Sequence, residues 1–213
     1  MKLAHVLVVC LAVSAAPAAL AQRWELGGGA SGSFSTSQDA KLPSGTATAK
    51  IAPGFGLGVW VTNNTSAHWG GEIRYMYQNS DIRVEQGSTK ASMSSDSHSL
   101  LYDFHWHTTE AGSRVRPYIA FGAGVKLFRG TGTEQQVQPL SQYVLLTKTT
   151  ELQGMGSVGI GIKAKLSPHW QFRADVHDYI SRLPKDVLQP NVGVQMGDWL
   201  HNIVPMVGLT WTY

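Results

Sequence analysis

Cysteine is all but missing from this sequence of 213 residues. The single one, Cys10, lies in an apolar run near the N-terminus, so the rest of the chain offers no thiol. That excludes a disulfide scaffold, a Cys-ligated zinc site and thiol catalysis. Charge is also scarce, with Asp, Glu, Lys and Arg making up 15% of the residues. The formal net charge of +3 falls to +2 without Lys2, 16 basic residues against 14 acidic. Such a balance, with no basic stripe interleaved with aromatics, gives no ground for a nucleic-acid partner. Past the N-terminal segment no apolar run approaches the ~18 residues of a membrane helix.

The N-terminal segment has another reading. Lys2 supplies a positive charge, Val6 to Val13 an apolar run, and Ala19-Leu20-Ala21 a small-x-small cleavage site before Gln22. These are the parts of a secretory signal peptide, residues 1–21, expected to be removed after Sec-type export. No lipobox precedes Cys10, so a lipoprotein anchor is not expected. Residues 22–213 are enough for one domain, and no linker to a second one is visible.

What the chain has instead is strand alternation. From Ile203 to the end, Ile203, Pro205, Val207, Leu209, Trp211 and Tyr213 share one face, and small or polar residues fill the other. A strand of about ten residues with one apolar face ending in aromatics is the unit of a transmembrane β-barrel. Counting period-2 segments predicts eight strands, approximately Arg23–Ser35, Thr46–Val61, His68–Asn79, Ser97–His107, Val115–Phe128, Glu151–Leu166, His169–Ile180 and Leu200–Tyr213. Short turns follow the second, fourth and sixth; long polar connections follow the first, third, fifth and seventh. An even strand number with short and long connections in turn predicts an all-β, antiparallel up-and-down transmembrane barrel with both termini in the periplasm.

The two faces sort by chemistry. Val115, Pro117, Ile119, Phe121, Ala123, Val125 and Leu127 fall outward in the fifth strand, Trp170, Phe172, Ala174 and Val176 in the seventh. Lys or Arg on a lipid face at mid-membrane costs roughly 2–4 kcal/mol, so their absence from these sets fixes the parity. Trp24, Trp69, Trp106, Trp170 and Trp211 are outward and lie near the turn end of their strands. With Tyr213 they form an expected aromatic girdle at the periplasmic interface.

With these patterns in place, the chain resembles the small eight-stranded outer-membrane barrel proteins, the group that includes the OmpA membrane domain, OmpX and OmpW. The resemblance rests on the Arg116-Pro117-Tyr118 strand opening, the Phe121-Gly122-Ala123-Gly124-Val125 run and the aromatic C-terminus. It implies a place in the bacterial outer membrane among lipid and lipopolysaccharide. It also implies assembly by the barrel-assembly machinery, with Leu209, Trp211 and Tyr213 as the C-terminal signal. A monomer is expected. Cell-wall anchoring is not carried over, since no peptidoglycan-binding domain is read after Tyr213.

Inward parity gathers Glu25, Glu72, Asp103 and Asp175 beside Arg74, Arg116, Lys126, Lys163 and Arg173, with His105 and His177. An eight-stranded barrel is narrow enough to be filled by its own side chains, and buried charges must pair. A salt-bridged plug is therefore expected, with a narrow polar pore as the alternative. Inward glycines at 54, 56, 58, 122, 124, 159 and 161 are expected to make room for Trp60, Tyr118, Phe128 and Tyr179. His105 and His107 share a face with Asp103, but two histidines without further ligands point to a hydrogen-bonded pair rather than a metal, and no cofactor is expected.

Some small outer-membrane barrels modify lipid A, which needs Ser, His and an acid together. The candidates are Asp96, Ser97, His98 and Ser99, yet parity puts Asp96 and His98 on the lipid side and both serines on the lumen side. A nucleophile and base on opposite faces share no hydrogen bond, so no catalytic residue is expected. Among the loops, Ile82, Val84 and Tyr143–Thr147 are expected to project as a sheet edge, and Ser88–Ser97 reads as a solvated tip. Arg83, Lys90, Arg129 and Lys185 are candidates for lipopolysaccharide phosphates. The expected role is a non-enzymatic barrel serving envelope integrity or surface-loop binding. The alternative is a narrow channel or hydrophobic-solute binder in the manner of OmpW.

Overall fold

The computed structural model describes residues 24–213; the signal-peptide segment lies outside the described residues. Twelve strands are present among them: β1 (Trp24–Ser35), β2 (Gln38–Leu42), β3 (Gly45–Ile51), β4 (Gly54–Asn64), β5 (Trp69–Gln86), β6 (Thr89–His107), β7 (Val115–Gly130), β8 (Val144–Leu146), β9 (Thr150–Lys165), β10 (Trp170–Arg182), β11 (Leu188–Pro190) and β12 (Trp199–Thr212). Eight of them close a ring in the order β1, β4, β5, β6, β7, β9, β10, β12 and back to β1, every neighbour antiparallel. Closure leaves no strand edge open, the condition for carrying a sheet through hydrocarbon.

Parity holds around the ring. On β7, Val115, Ile119, Phe121 and Val125 are exposed while Arg116, Tyr118, Lys126 and Phe128 are buried. On β10 and β12 the lumen takes Arg173, Asp175 and His177 beside Val204, Met206 and Thr210. Ile160 on β9 is 65% exposed and Leu57 on β4 is 57%, a belt of apolar side chains that a water-soluble fold would bury. At the end of the ring carrying the termini and short connections, Trp69 stands opposite Trp106, and Trp170 opposite Trp211. Trp211 and Tyr213 meet edge to face at 4.1 Å.

The other end, where the long connections lie, differs from the sequence expectation. Thr46–Val61 is not one uniform strand. Both β3 and β4 pair along β5, with Ile51 opposite Ile82 and Phe55 opposite Asn79. Four steps on one strand thus face three on the other, a β-bulge at Ala52-Pro53-Gly54, where Pro53 has no N–H to give the ladder. The extra residue inverts the parity. Ala47, Ala49 and Ile51 point inward at odd numbers, whereas Gly56, Gly58 and Trp60 point inward at even ones.

Ser88–Ser97 is likewise no loose tip. β5 and β6 run 18 and 19 residues and stay paired from Trp69–Trp106 to Gln86–Thr89, turning at Gly87 with φ 57°. Roughly 9–11 residues cross a bilayer, so both strands continue well beyond it. Ile82 and Val84 lie paired between β3 and β6, and the Tyr143–Thr147 segment pairs with β11 instead of projecting. They are buried, at 8% exposure or less apart from Leu145, in an apolar cluster with Ala40, Ala49, Met93 and Leu188. β2, β3 and the small β8–β11 sheet wall this cluster, which caps the ring. The patterning fails there because short apolar pieces separated by polar turns carry no period long enough to read.

Depth in the bilayer makes a direct test. Ile160→Arg, in the exposed apolar belt, is expected to cost about 2–4 kcal/mol. Ser92→Arg, on the exposed part of the β6 extension, is expected to stay within about 0.5 kcal/mol. Urea unfolding of the barrel in lipid vesicles measures both.

Candidate functional site

At the centre of the ring four charges from two strands meet. β5 brings Glu72 and Arg74 two residues apart on its inward face; β10 brings Arg173 and Asp175 in the same way. Arg173 donates from Nε to Asp175 Oδ2 at 2.7 Å and from its Nη groups to Glu72. Arg74 donates from Nε to Glu72 Oε1 at 2.9 Å and lies 3.3 Å from Asp175 Oδ2. The Tyr118 hydroxyl donates to Asp175 Oδ2 at 2.7 Å, and Thr62 donates to Glu72 Oε2 at 2.6 Å. Two cations and two anions, none more than 4% exposed, thus share one neutral hydrogen-bonded cluster across the lumen. Such a cluster tolerates burial because each charge has both a counter-charge and donors or acceptors for its remaining atoms.

Trp60 covers the cluster. Its ring lies 4.8 Å from the Arg173 guanidinium carbon and 5.9 Å from that of Arg74, and its Nε1 donates to Thr210 at 3.1 Å. Gly27 and Gly208 make this seat: a Cβ on either would fall within 2.6 Å of the indole. Neither was among the glycines singled out from the sequence. Of those that were, Gly161 faces the Tyr118 ring, whereas Gly58, Gly124 and Gly159 face Met76, Leu101 and His177, not the Trp60, Phe128 or Tyr179 rings expected.

The lumen is layered along its axis. Nearest the termini, Lys163 Nζ donates to Glu25 Oε2 at 2.6 Å and Asn64 to Glu25 Oε1 at 2.8 Å. They border a vestibule of about 580 Å³ with Arg116 and Gln171. The four-charge cluster follows. Above it, Trp60 joins Met76, Leu101, Met155, Tyr179, Val204 and Met206 in an apolar layer. Then comes a belt of Gln78, Ser97, Asn202 and Lys126, with Lys126 Nζ 2.7 Å from Gln78 Oε1. The cap closes the far end.

Some predicted network members join no close ion pair. Asp103 has only His177, at 3.9 Å, and His105 stands 3.9 Å from Glu72 while stacking on Tyr118 at 4.7 Å. His105 and His107 sit edge to face at 6.1 Å without sharing a hydrogen bond, which corrects the expected pair. Arg116 donates to the Ala67 carbonyl at 2.8 Å. Glu72, Asp103 and His105 each offer a ligand atom within 4.8 Å of one another. Glu72 is nevertheless fully occupied by Arg74, Arg173 and Thr62, and two guanidiniums beside it oppose a further positive charge.

Of the lipid A candidates, Ser97 and Ser99 are buried inside the ring. His98 lies outside it, its Nδ1 2.7 Å from the Tyr75 hydroxyl and its Nε2 3.6 Å from Asp96. Asp96 in turn takes two hydrogen bonds from Arg129, at 2.7 and 2.8 Å. Asp178, also outward, meets His201 at 2.8 Å. No Ser–His hydrogen bond links the quartet. Arg83 and Lys185 are paired with Asp81 and Asp198, the latter bond drawing the Asp198 carboxyl below its ordinary range.

A closed eight-stranded ring with a lipid-compatible outside and a charged, filled inside defines a transmembrane β-barrel. The family model of the outer membrane protein beta-barrel domain matches residues 4–209, and the chain belongs to that family, which places it in the bacterial outer membrane. Among solved structures it is similar to the outer membrane protein OprG from Pseudomonas aeruginosa, at 17% identity over 91% of this chain and 96% of that one, TM-score 0.59. Neisserial surface protein A shares 10% identity over 89% and 97%, TM-score 0.53. AlkL, an outer membrane protein solved in lipid bilayers by solid-state NMR, shares 14% over 93% and 94%, TM-score 0.52. At these identities the likeness is one of fold. A search of curated proteins gives no match.

The cluster can be tested by removing one member. Arg173→Ala leaves Glu72 and Asp175 short of a counter-charge and is expected to cost about 3–5 kcal/mol. Arg182→Ala, an exposed site on the same strand, is the control. Urea midpoints in lipid vesicles compare the two.

Proposed function

We propose that this protein is a non-enzymatic barrel, closed to ions, that contributes to envelope integrity and presents a folded cap at the cell surface. One observation carries the reading: the lumen is crossed by the Glu72–Arg74–Arg173–Asp175 cluster under Trp60, with an apolar layer directly above it. An ion would have to displace paired charges and then cross methionine and leucine side chains without water. The short connections and both termini are assigned to the periplasm. Trp24, Trp69, Trp106, Trp170, Trp211 and Tyr213 are read as the girdle at that interface. Leu209, Trp211 and Tyr213 are read as the signal for the assembly machinery. The monomeric state and contact with lipopolysaccharide belong to the same reading.

Planar-bilayer recording tests it. The folded barrel is expected to show no steady conductance, and steady ion-selective openings would overturn the proposal. In cells expressing the protein, mass spectrometry should show the same lipid A acyl chains as in cells without it. A gain or loss of one chain that His98→Ala abolishes would make the protein an enzyme.

A second reading is favoured by the cap. Its interior is apolar and reaches the surface through the partly buried Leu42, Val194 and Met196. It supports capture of a small hydrophobic solute from outside without an aqueous pore.

A further inference from the structure

Every charge in the central cluster has a counter-charge, and Glu25 has Lys163. Lys126 is different. It is 2% exposed, points into the lumen from β7, and has no carboxylate within 4.0 Å of Nζ among the described residues. Its hydrogen-bond acceptor is a neutral amide oxygen, Gln78 Oε1 at 2.7 Å, and its Nζ lies 5.2 Å from the centre of the Phe128 ring. An ammonium held this way is costly to bury, and a single anion on Nζ removes most of that cost.

The surroundings say which anion. Below Lys126 lies the apolar layer of Met76, Leu101, Met155 and Val204; above it, Phe128 belongs to the apolar cap. The belt between them is polar, and the charges that line its cleft besides Lys126 are the mutually paired Asp96 and Arg129. Asn202 donates to Ser33 at 3.0 Å and accepts from Gln78 at 3.4 Å, Ser97 donates to Gln78 at 3.4 Å, and the buried Ser99 hydroxyl has no partner. One cation without a counter-charge, several neutral hydrogen-bonding groups and an adjoining apolar compartment match an amphiphile with a single negative head.

The cleft beside Lys126 holds only about 10 Å³, no more than one water needs, so a head must displace the Gln78 amide from Nζ. Space for a tail must come from the cap. There Met93 and Met196 have flexible side chains suited to repacking around a guest. We propose that Lys126 and the polar belt beneath the cap bind the carboxylate of a short-chain organic acid whose apolar tail lies among the cap residues. The carboxylate oxygen takes the position of Gln78 Oε1 on Nζ, and the unpartnered Ser99 hydroxyl donates to the second oxygen. The proposal rests on the hydrophobic-solute reading of the cap and adds the charge of the ligand to it.

The probes are octanoate, octanol and acetate, titrated into the full barrel folded in phosphatidylcholine nanodiscs with [13C-methyl]methionine. Met93 and Met196 report the cap. Octanoate is expected to shift their resonances saturably, with an affinity about ten-fold or more tighter than octanol. Lys126→Gln should erase that preference while octanol binding persists, and Lys126→Arg should retain it. If octanol shifts Met93 as strongly as octanoate in the unmodified protein, the Lys126 site is refuted and the cap reading stands. If neither shifts it, both fall. Acetate competing as well as octanoate would overturn the proposal in favour of a bare ion site. These comparisons need only the unmodified barrel, so they decide the question even where Lys126→Gln does not fold.

Discussion

In hydrocarbon no water is available to an unpaired N–H or C=O, so the sheet must close, and β12 must find β1. The register from Glu25–Thr212 to Ser35–Asn202 meets that demand with the last strand of the chain against the first. Closure at eight strands then makes the lumen narrow enough for its own side chains to fill most of it. What those side chains can be follows from the same geometry. Each strand alternates lipid and lumen, so every polar residue kept out of lipid is committed to a shared interior.

The interior answers with layers rather than a uniform salt-bridged plug. Charges are paired where β5 and β10 contribute acid and base at i and i+2, which lets one guanidinium bridge its own strand and the opposite one. Arg173 does so, reaching Asp175 beside it and Glu72 across the lumen. Aromatic cover and an apolar layer then separate this cluster from Lys126. The contrast between a neutral four-charge cluster and a lysine held by an amide shows that charge is not simply minimised inside the ring.

Period-2 reading works where one face is held to lipid. Trp170, Phe172 and Val176 against Arg173, Asp175 and His177 is a pattern that a one-residue slip would destroy, so the parity of the ring strands is legible from residues alone. It also places Glu72, Arg74, Arg173 and Asp175 in the lumen, though not in one cluster, because which inward residues share a depth depends on strand stagger. The seat of Trp60 was hidden for the same reason: Gly27 and Gly208 lie on neighbouring strands far apart in sequence. Beyond the membrane no lipid enforces alternation. There β2, β3, β8 and β11 are short and bury their apolar faces against one another, and a serine-rich stretch such as Ser94–Ser97 forms strand because β5 pairs with it along its whole length.

The bulge at Ala52-Pro53-Gly54 joins these two regimes. On the ring side, β4 must present Gly56, Gly58 and Trp60 to the lumen and Leu57 and Val59 to lipid. On the cap side, the same chain direction carries Thr46, Thr48 and Lys50 alternating with Ala47, Ala49 and Ile51, and without a shift the polar set would face the cap interior. One extra residue exchanges the two sets. Lys50 then points outward, where it pairs with Glu85 at 2.6 Å and holds that carboxyl below its usual range, while Ile51 enters the apolar cluster beside Ile82. A strand without the bulge could serve the membrane or the cap, but not both. The apolar compartment above Lys126 therefore depends on a backbone irregularity at Pro53, where the residue type disallows the regular ladder.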